Sequence, residues 1–241
     1  MKGLHMKLKS YQIRDGYVQG IMDCLPTLLG YISIGIAFGV IGIASNLNVW
    51  EVALLSILVY AGSSQFIICA LLVAQTPFSI IILTTFIVNL RHLLLCLTLA
   101  PYFKKDSLAK NIGIGALVTD ESFGVAATRI SQKGQLNFKW MNGLNLTAYF
   151  FWILSSIVGA ILAQWIADPE VLGLDFALPA MFVALLVLQL QNVLPEKLMH
   201  HIKLIAYMVI AMVTCSLLMP THMAVILSTV IVATIGVVTD Q

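Results

Sequence analysis

Long apolar stretches alternate with short polar connections along most of the chain. Five runs contain no Asp, Glu, Lys or Arg, and they cover residues 24–50, 52–90, 140–167, 176–195 and 204–239. A membrane-spanning helix needs about 20 mostly apolar residues, so each run is long enough for at least one such helix. The pattern predicts a polytopic, all-α helical membrane protein.

Turn signals divide the two longest runs. Pro77 and Pro220, each with polar neighbours, interrupt them, and such clusters mark tight turns. A further apolar stretch carries Asp120 and Glu121 at its middle. The predicted segments are about 20–45, 52–74, 78–101, 112–130, 141–166, 174–194, 198–219 and 222–239.

Composition strengthens this prediction. Hydrophobic residues make up 60% of the 241 residues and charged residues 10%, against about 45–50% and 25% in soluble domains. These values exclude an ordinary soluble globule, a disordered chain and a soluble disulfide scaffold. The net charge of +2 provides no basic field for nucleic acid. The cysteines are interpreted as buried apolar residues: Cys24, Cys69, Cys96 and Cys215.

The distribution of Lys and Arg predicts the orientation but contains a conflict. The basic N-terminal segment, residues 1–17, predicts a cytoplasmic N-terminus. If all eight segments cross, Lys133 and Lys139 are cytoplasmic as expected, whereas the equally basic 104–110 connection is outside. Both connections are inside only if segments 52–74 and 112–130 enter the membrane and return. We therefore expect about seven transmembrane segments, between five and eight, in a single transmembrane domain over residues 1–241.

Two of the segments are interrupted at mid-depth. Small and polar residues break the second segment at 61–65 and the fourth at 119–124. Paired breaks of this kind are typical of transporters built from inverted repeats, in which broken helices form a binding site near the membrane centre.

Asp120 and Glu121 are adjacent carboxylates within an apolar segment. A charge at the bilayer centre costs about 2.5–3.5 kcal/mol on insertion scales, and apolar surroundings favour the protonated form of a carboxyl group. The pair is therefore predicted to couple transport to protons. The structural alternative is a shallow helix end, at which both acids interact with the helix dipole.

Asn89, Arg91 and His92 lie two-thirds of the way along the third segment. An Arg at this depth faces protein or water, so Arg91 is predicted to pair with Asp120 or Glu121, or to bind a substrate carboxylate. Asn89 is assigned to the same substrate site. His92 shares a helix face with Asn89 and is a further candidate, although a structural hydrogen bond explains it more simply. Snorkelling of Arg91 to the interface is the alternative.

The break in the second segment contains no charge. Its backbone groups and side chains are predicted to bind a polar substrate, through Gly62, Ser63, Ser64 and Gln65. Close helix packing is the alternative use of these small residues. Asp175 begins the sixth segment and is a further site candidate, with helix capping as the simpler role.

Sequence signatures of enzymes are missing. The chain contains no HExxH, GxSxG or Walker sequence. We therefore predict no catalytic residues, no metal and no cofactor. Three functions are compared: a secondary transporter, a non-catalytic membrane assembly subunit or channel, and an intramembrane enzyme.

A series of short motifs resembles the AzlC family. The motifs occur in order over residues 17–190: Pro26, Gly30-Tyr31, Ala37-Phe38-Gly39, Ser56, Tyr60-Ala61-Gly62-Ser63-Ser64-Gln65-Phe66, Val88-Asn89-Leu90-Arg91-His92, Leu99-Ala100-Pro101, Thr119-Asp120-Glu121-Ser122-Phe123 and Gly173-Leu174-Asp175-Phe176-Ala177.

The resemblance implies a transporter in the bacterial inner membrane. It implies export of branched-chain amino acids, namely valine, leucine and isoleucine, with methionine as a further substrate. It also implies a small membrane partner of the AzlD type. Without an ATP site, such export is expected to be driven by the proton gradient.

Overall fold

A computed structural model describes residues 16–165, 195–219 and 221–239, together with 173, 176, 180, 183, 186, 187, 190 and 193. Contacts divide the chain into two compact units, Met1–Leu185 and Leu186–Gln241. The helices of the described residues are α1 (Tyr17–Ala44), α2 (Val49–Leu58), α3 (Gly62–Val73), α4 (Phe78–Leu99), α5 (Leu108–Gly115), α6 (Asp120–Lys133), α7 (Phe138–Leu162), α8 (Pro195–Leu218) and α9 (Thr221–Thr239). Short 3₁₀ turns, Ala100–Phe103 and Ala163–Trp165, follow α4 and α7.

The predicted all-α membrane fold is confirmed. The described residues contain no strand, and four of their helices are long and apolar enough to span a bilayer. These are α1, α4 with its 3₁₀ turn, α7 with its 3₁₀ turn, and α8. Most of the predicted segment 174–194 lies outside the described residues, so the count of about seven stays a prediction, as does the single domain.

Helices α1 and α7 pack side by side in the same direction. A Cβ added at Gly20 would lie 2.9 Å from the Leu144 nitrogen, and one at Gly39 would lie 2.5 Å from the Ala160 nitrogen. Both glycines therefore allow backbone contact between helices, as small residues do in membranes. We call these two helices the scaffold. Contacts with one end or the other of the scaffold show on which side of the protein another residue lies.

The second predicted segment is a hairpin that enters and returns. Helix α2 begins beside the C-terminal end of α1, where Val52 contacts Gly42, and it descends to Tyr60. Helix α3 then runs back: Phe66 packs on Phe38, with ring centroids 5.8 Å apart, and Cys69 lies beside Ser45. The chain leaves the hairpin on the side where it entered.

The fourth predicted segment repeats this arrangement from the opposite side. After α4 has crossed, α5 begins with Lys110 above the Phe138 ring, at the N-terminal end of α7. Its tip reaches Tyr31, which hydrogen-bonds Thr119. Helix α6 returns to the same end, where Arg129 meets Asp23.

The two interrupted segments are therefore oppositely oriented hairpins, as expected of an inverted repeat. Both segments are broken, but the breaks lie at residues 59–61 and 116–119, between the half-helices. Most of the predicted positions, 61–65 and 119–124, instead form the first turns of α3 and α6, which begin at Gly62 and Asp120. The hairpins also resolve the conflict in charge. The connections 104–107 and 134–137 lie on one side, together with the N-terminal end of α1, and Glu51 lies on the other.

Cysteine labelling is expected to report this topology directly. Lys105→Cys and Lys139→Cys should react with a membrane-impermeant maleimide from one face, and Trp50→Cys from the opposite face, because both hairpins return. Gly30→Cys, exposed at the middle of α1, serves as a lipid-facing control that stays unlabelled. Labelling of residues 105 and 139 from opposite faces would show that α5–α6 crosses instead.

The second unit is an antiparallel helical hairpin. The Ser228 hydroxyl of α9 donates to the Met212 sulfur of α8 at 3.7 Å. A Cβ at Gly236 would lie 3.3 Å from Leu204. Helix α8 ends at Leu218 and α9 begins at Thr221, while Pro220 of the predicted turn lies outside the described residues.

Candidate functional site

The tips of both hairpins meet beside α4, around a small cavity. Tyr60 to Ser63 come from the α2–α3 tip, Thr119 to Glu121 from the α5–α6 tip, and Arg91 and His92 from α4. Tyr31 and Trp152 of the scaffold complete the wall. The cavity measures about 20 Å³, roughly the space of one water molecule.

Arg91 connects the two tips. Its Nη2 lies 3.0 Å from Oδ2 of Asp120 and donates to the Ser63 hydroxyl at 2.6 Å. Asp120 is one of the two partners that the sequence left open. The two side chains are 26% and 19% exposed, so removal of either charge would leave the other partly desolvated and without this ion pair.

Asp120 and Glu121 occupy the first turn of α6. Thr119 caps this helix, because its hydroxyl accepts from the Ser122 backbone while the Ser122 hydroxyl accepts from the Thr119 backbone. The carboxylates thus lie where the helix dipole favours negative charge. The Tyr31 hydroxyl donates to Glu121 at 3.2 Å. Adjacent acids point to different partners, as expected from the turn of a helix.

Helix α3 presents an N-terminus without such a cap. Its N-cap residue, Ala61, has no side-chain hydrogen bond to offer, so the first backbone N–H groups lack side-chain capping. The preceding Tyr60 adopts a left-handed φ of 41°, which costs a bulky residue about 1–2 kcal/mol. Its buried hydroxyl lies near Tyr31 but makes no well-formed hydrogen bond within the described residues. This tip therefore presents hydrogen-bond donors to an anion.

Three predicted substrate-binding residues lie behind the cavity wall. The Ser64 hydroxyl donates to Asn89 at 2.6 Å. Gln65, fully buried, donates to Ser56 at 3.2 Å and accepts from the Trp152 indole at 3.0 Å. These bonds fasten α3 to α2, α4 and α7. Gly62 and Ser63 line the cavity itself.

His92 also lines the cavity, next to Arg91. Asp175 lies outside the described residues. Tyr31, Tyr60 and Trp152 line the site but were not predicted from the sequence. The motifs that contain Tyr31 and Tyr60 were the available signal, whereas the position of Trp152 depends on helix packing.

A second buried charge cluster joins three helices at the N-terminal end of the scaffold. Arg129 of α6 lies 3.2 Å from Asp23 of α1 and 4.5 Å above the Trp140 ring of α7. The Trp140 indole donates to Asp23 at 2.8 Å. The cluster holds the returning half of the α5–α6 hairpin on the scaffold.

Asp23→Asn is expected to lower the free energy of unfolding by about 1–2 kcal/mol. Hydrogen bonds to charged groups contribute about 1.5–3 kcal/mol, and the expected loss is smaller because this carboxylate is 30% exposed. Thermal unfolding in detergent measures the effect. Asp106→Asn removes the pair of Asp106 with Lys110, a lysine that is 49% exposed, and serves as a control with an expected change under about 0.5 kcal/mol. Equal effects of the two substitutions would contradict a structural role of the cluster.

The sequence profile of the AzlC protein family matches residues 26–166, more than half of the chain. The chain belongs to the AzlC family. The matched region contains both hairpins, α4, α7 and the part of α1 from Pro26 onward. It therefore includes every residue that lines the central cavity.

Relatives of this AzlC-family protein are membrane proteins. It is 28% identical to the inner membrane protein YgaZ of Escherichia coli K12, over 73% of this chain and 74% of the relative. It is 25% identical to the branched-chain amino acid transport protein AzlC of Bacillus subtilis 168, over 77% and 72%. An uncharacterized membrane protein of Archaeoglobus fulgidus is 29% identical over 78% and 81%. No solved structure matches this AzlC-family chain.

Proposed function

We propose that this protein is a secondary transporter that exports branched-chain and related hydrophobic amino acids across the bacterial inner membrane, driven by protons. The observation that carries the proposal is Arg91 of α4, which forms an ion pair with Asp120 of one hairpin tip and donates to Ser63 of the other. The name of the Bacillus subtilis relative supports the substrate class.

An amino acid carries the two charges that this ion pair can exchange. Arg91 and the N-terminus of α3 would bind the substrate carboxylate, since a guanidinium binds carboxylates bidentately. Asp120 would bind the ammonium group. Each protein charge then changes partner without becoming unpaired, which avoids the cost of an isolated buried charge.

Glu121 is assigned to the coupling proton. It faces the cavity beside Asp120 and has the Tyr31 hydroxyl as a neutral partner. Two carboxylates in one site repel when both are ionised. Binding of a proton at Glu121 and of the substrate ammonium at Asp120 would therefore depend on one another.

The cavity of about 20 Å³ is too small for valine or leucine. The proposal therefore requires that the hairpin tips separate to admit substrate. Alternating movement of one half against the other around a central site is the mechanism found in transporters with inverted repeats. Ser64, Gln65 and Asn89 would position α3 during this movement.

The orientation and the partner are part of the same proposal. Exposed basic residues on the side of the α1 N-terminus, Lys104, Lys105, Lys133 and Lys139, favour a cytoplasmic location of that side. The proposed partner is a small membrane subunit of the AzlD type. Copurification of this protein with the product of a neighbouring gene for such a subunit tests the partnership.

Reconstituted protein tests the proposal. Proteoliposomes preloaded with unlabelled leucine should accumulate external radiolabelled leucine by exchange, and valine, isoleucine and methionine should compete. An imposed proton gradient should drive net leucine flux, and a protonophore should abolish it. Flux that does not saturate would indicate a channel. No flux, alone or with the small subunit, would reject the transporter.

A further inference from the structure

A larger apolar cavity lies next to the central site. It measures about 200 Å³ and lies between α4 and the α5 half of the second hairpin. Its wall includes Cys96, Leu99, Phe103, Ile114, Gly115 and Val118. We call it the α4–α5 cavity.

The α4–α5 cavity continues the central site along one helix face. His92 lines the central cavity, and Cys96 and Leu99 follow at spacings of four and seven residues, on one face of α4. Phe103 lies in the 3₁₀ turn that follows α4. On the hairpin, Val118 of the larger cavity directly precedes Thr119 of the central one. The larger cavity extends from there toward the basic side of the protein.

The chemistry of the α4–α5 cavity complements that of the central site. The central site holds charges but has almost no volume, whereas the larger cavity has volume but almost no polar groups. Apolar cavities of about 150 Å³ bind ligands of benzene size. One polar group is available: the Asn111 amide nitrogen donates to Phe103 at 3.3 Å, while its buried Oδ1 has no hydrogen-bond partner within the described residues.

We propose that the α4–α5 cavity is a loading subsite that binds the branched aliphatic side chain of the substrate on its way from the basic side to Arg91 and Asp120. Asn111 Oδ1 would accept a hydrogen bond from the substrate ammonium. This inference rests on the proposed transport of hydrophobic amino acids, and it assigns the discrimination between side chains to residues outside the ion-pair site.

Cys96 provides a probe that needs no substitution. It is partly exposed in the cavity wall, whereas Cys24, Cys69 and Cys215 are buried. Treatment of the purified full chain with N-ethylmaleimide, followed by peptide mass spectrometry, gives the rate of modification at residue 96. Saturating leucine is expected to slow this rate several-fold, and glycine, which lacks a side chain, is expected to leave it unchanged.

Gly115 provides a matched pair of variants within α5. A Cβ at Gly115 would lie in ordinary contact, 3.5 Å from the Cys96 sulfur, whereas one at Gly113 would meet nothing within 4 Å. Gly115→Val fills the cavity and is expected to raise the KM for leucine about tenfold or more, and the KM for valine less, since one methylene alters discrimination by about 10–200-fold. Gly113→Val places the same residue in the same helix and should retain both KM values.

The outcomes separate this inference from the proposed function. The subsite would be overturned, and the transporter retained, by one combination of results. Leucine flux would depend on Arg91, but leucine would not slow the modification of Cys96 and the KM of Gly115→Val would be unchanged. Absence of leucine flux in the unmodified protein would reject the proposed function instead. Loss of folding in Gly115→Val, seen as a lower melting temperature than in Gly113→Val, leaves the Cys96 protection experiment as the deciding measurement.

Discussion

Arg91→Gln is expected to reduce leucine transport by about a hundred-fold or more. The substitution removes the proposed carboxylate partner and leaves Asp120 without its 3.0 Å ion pair. Truncation of one partner of a hydrogen-bonded charge pair in a closed binding site costs about 2–5 kcal/mol of binding free energy, and each 1.4 kcal/mol corresponds to a factor of about ten. Exchange of radiolabelled leucine in proteoliposomes measures the effect.

Two further variants separate substrate binding from folding. Arg91→Gln combined with Asp120→Asn removes both charges, so it should recover most of the thermal stability that the single variant loses, while transport remains absent. Lys105→Gln removes an exposed positive charge and should transport normally. Near-normal exchange by Arg91→Gln would exclude the ion pair as the substrate site.

Gly39→Val is expected to destabilise the packing of α1 on α7 strongly. A Cβ at this position would lie 2.5 Å from the Ala160 nitrogen and still closer to the Ser156 carbonyl oxygen, and these backbone atoms cannot move aside independently. Overpacking costs about 1–3 kcal/mol where side chains can adjust, so a backbone clash is expected to cost at least about 3 kcal/mol. For a protein of this size, that lowers the melting temperature by about 6–12 °C or more.

Gly30→Val is the matched control on the same helix. A Cβ at Gly30 meets nothing within 4 Å, so only the small change in helix propensity remains. Thermal unfolding and the yield of folded protein from membranes compare the two variants. If both lose stability equally, close packing of α1 on α7 is not the reason for Gly39.

The acidic pair Asp120 and Glu121 could be predicted from the sequence only in part. Two carboxylates in an apolar segment predict a buried polar site because their cost in lipid requires a partner. The partner itself, Arg91, lies 29 residues earlier in the sequence. The sequence left Asp120 and Glu121 as equivalent candidates, because only the rotation of α6 against α4 distinguishes them.

The second buried charge cluster, formed by Asp23, Arg129 and Trp140, was not predicted. Each residue lies near the end of an apolar segment, where a polar side chain is ordinary and gives no signal. Their contact depends on the parallel packing of α1 and α7 and on the return of α6. A pattern within one segment contains no information on which segment packs beside it.

The sequence by itself determined that the chain is an all-α membrane protein, where its apolar segments lie and that two of them break. Hydropathy determines these features because they depend on the transfer of each segment from water to lipid. Only the tertiary structure decided that the broken segments return rather than cross. A half-helix has the same composition in either direction, and its direction is set by long-range packing, here of Phe66 on Phe38 and of Arg129 on Asp23.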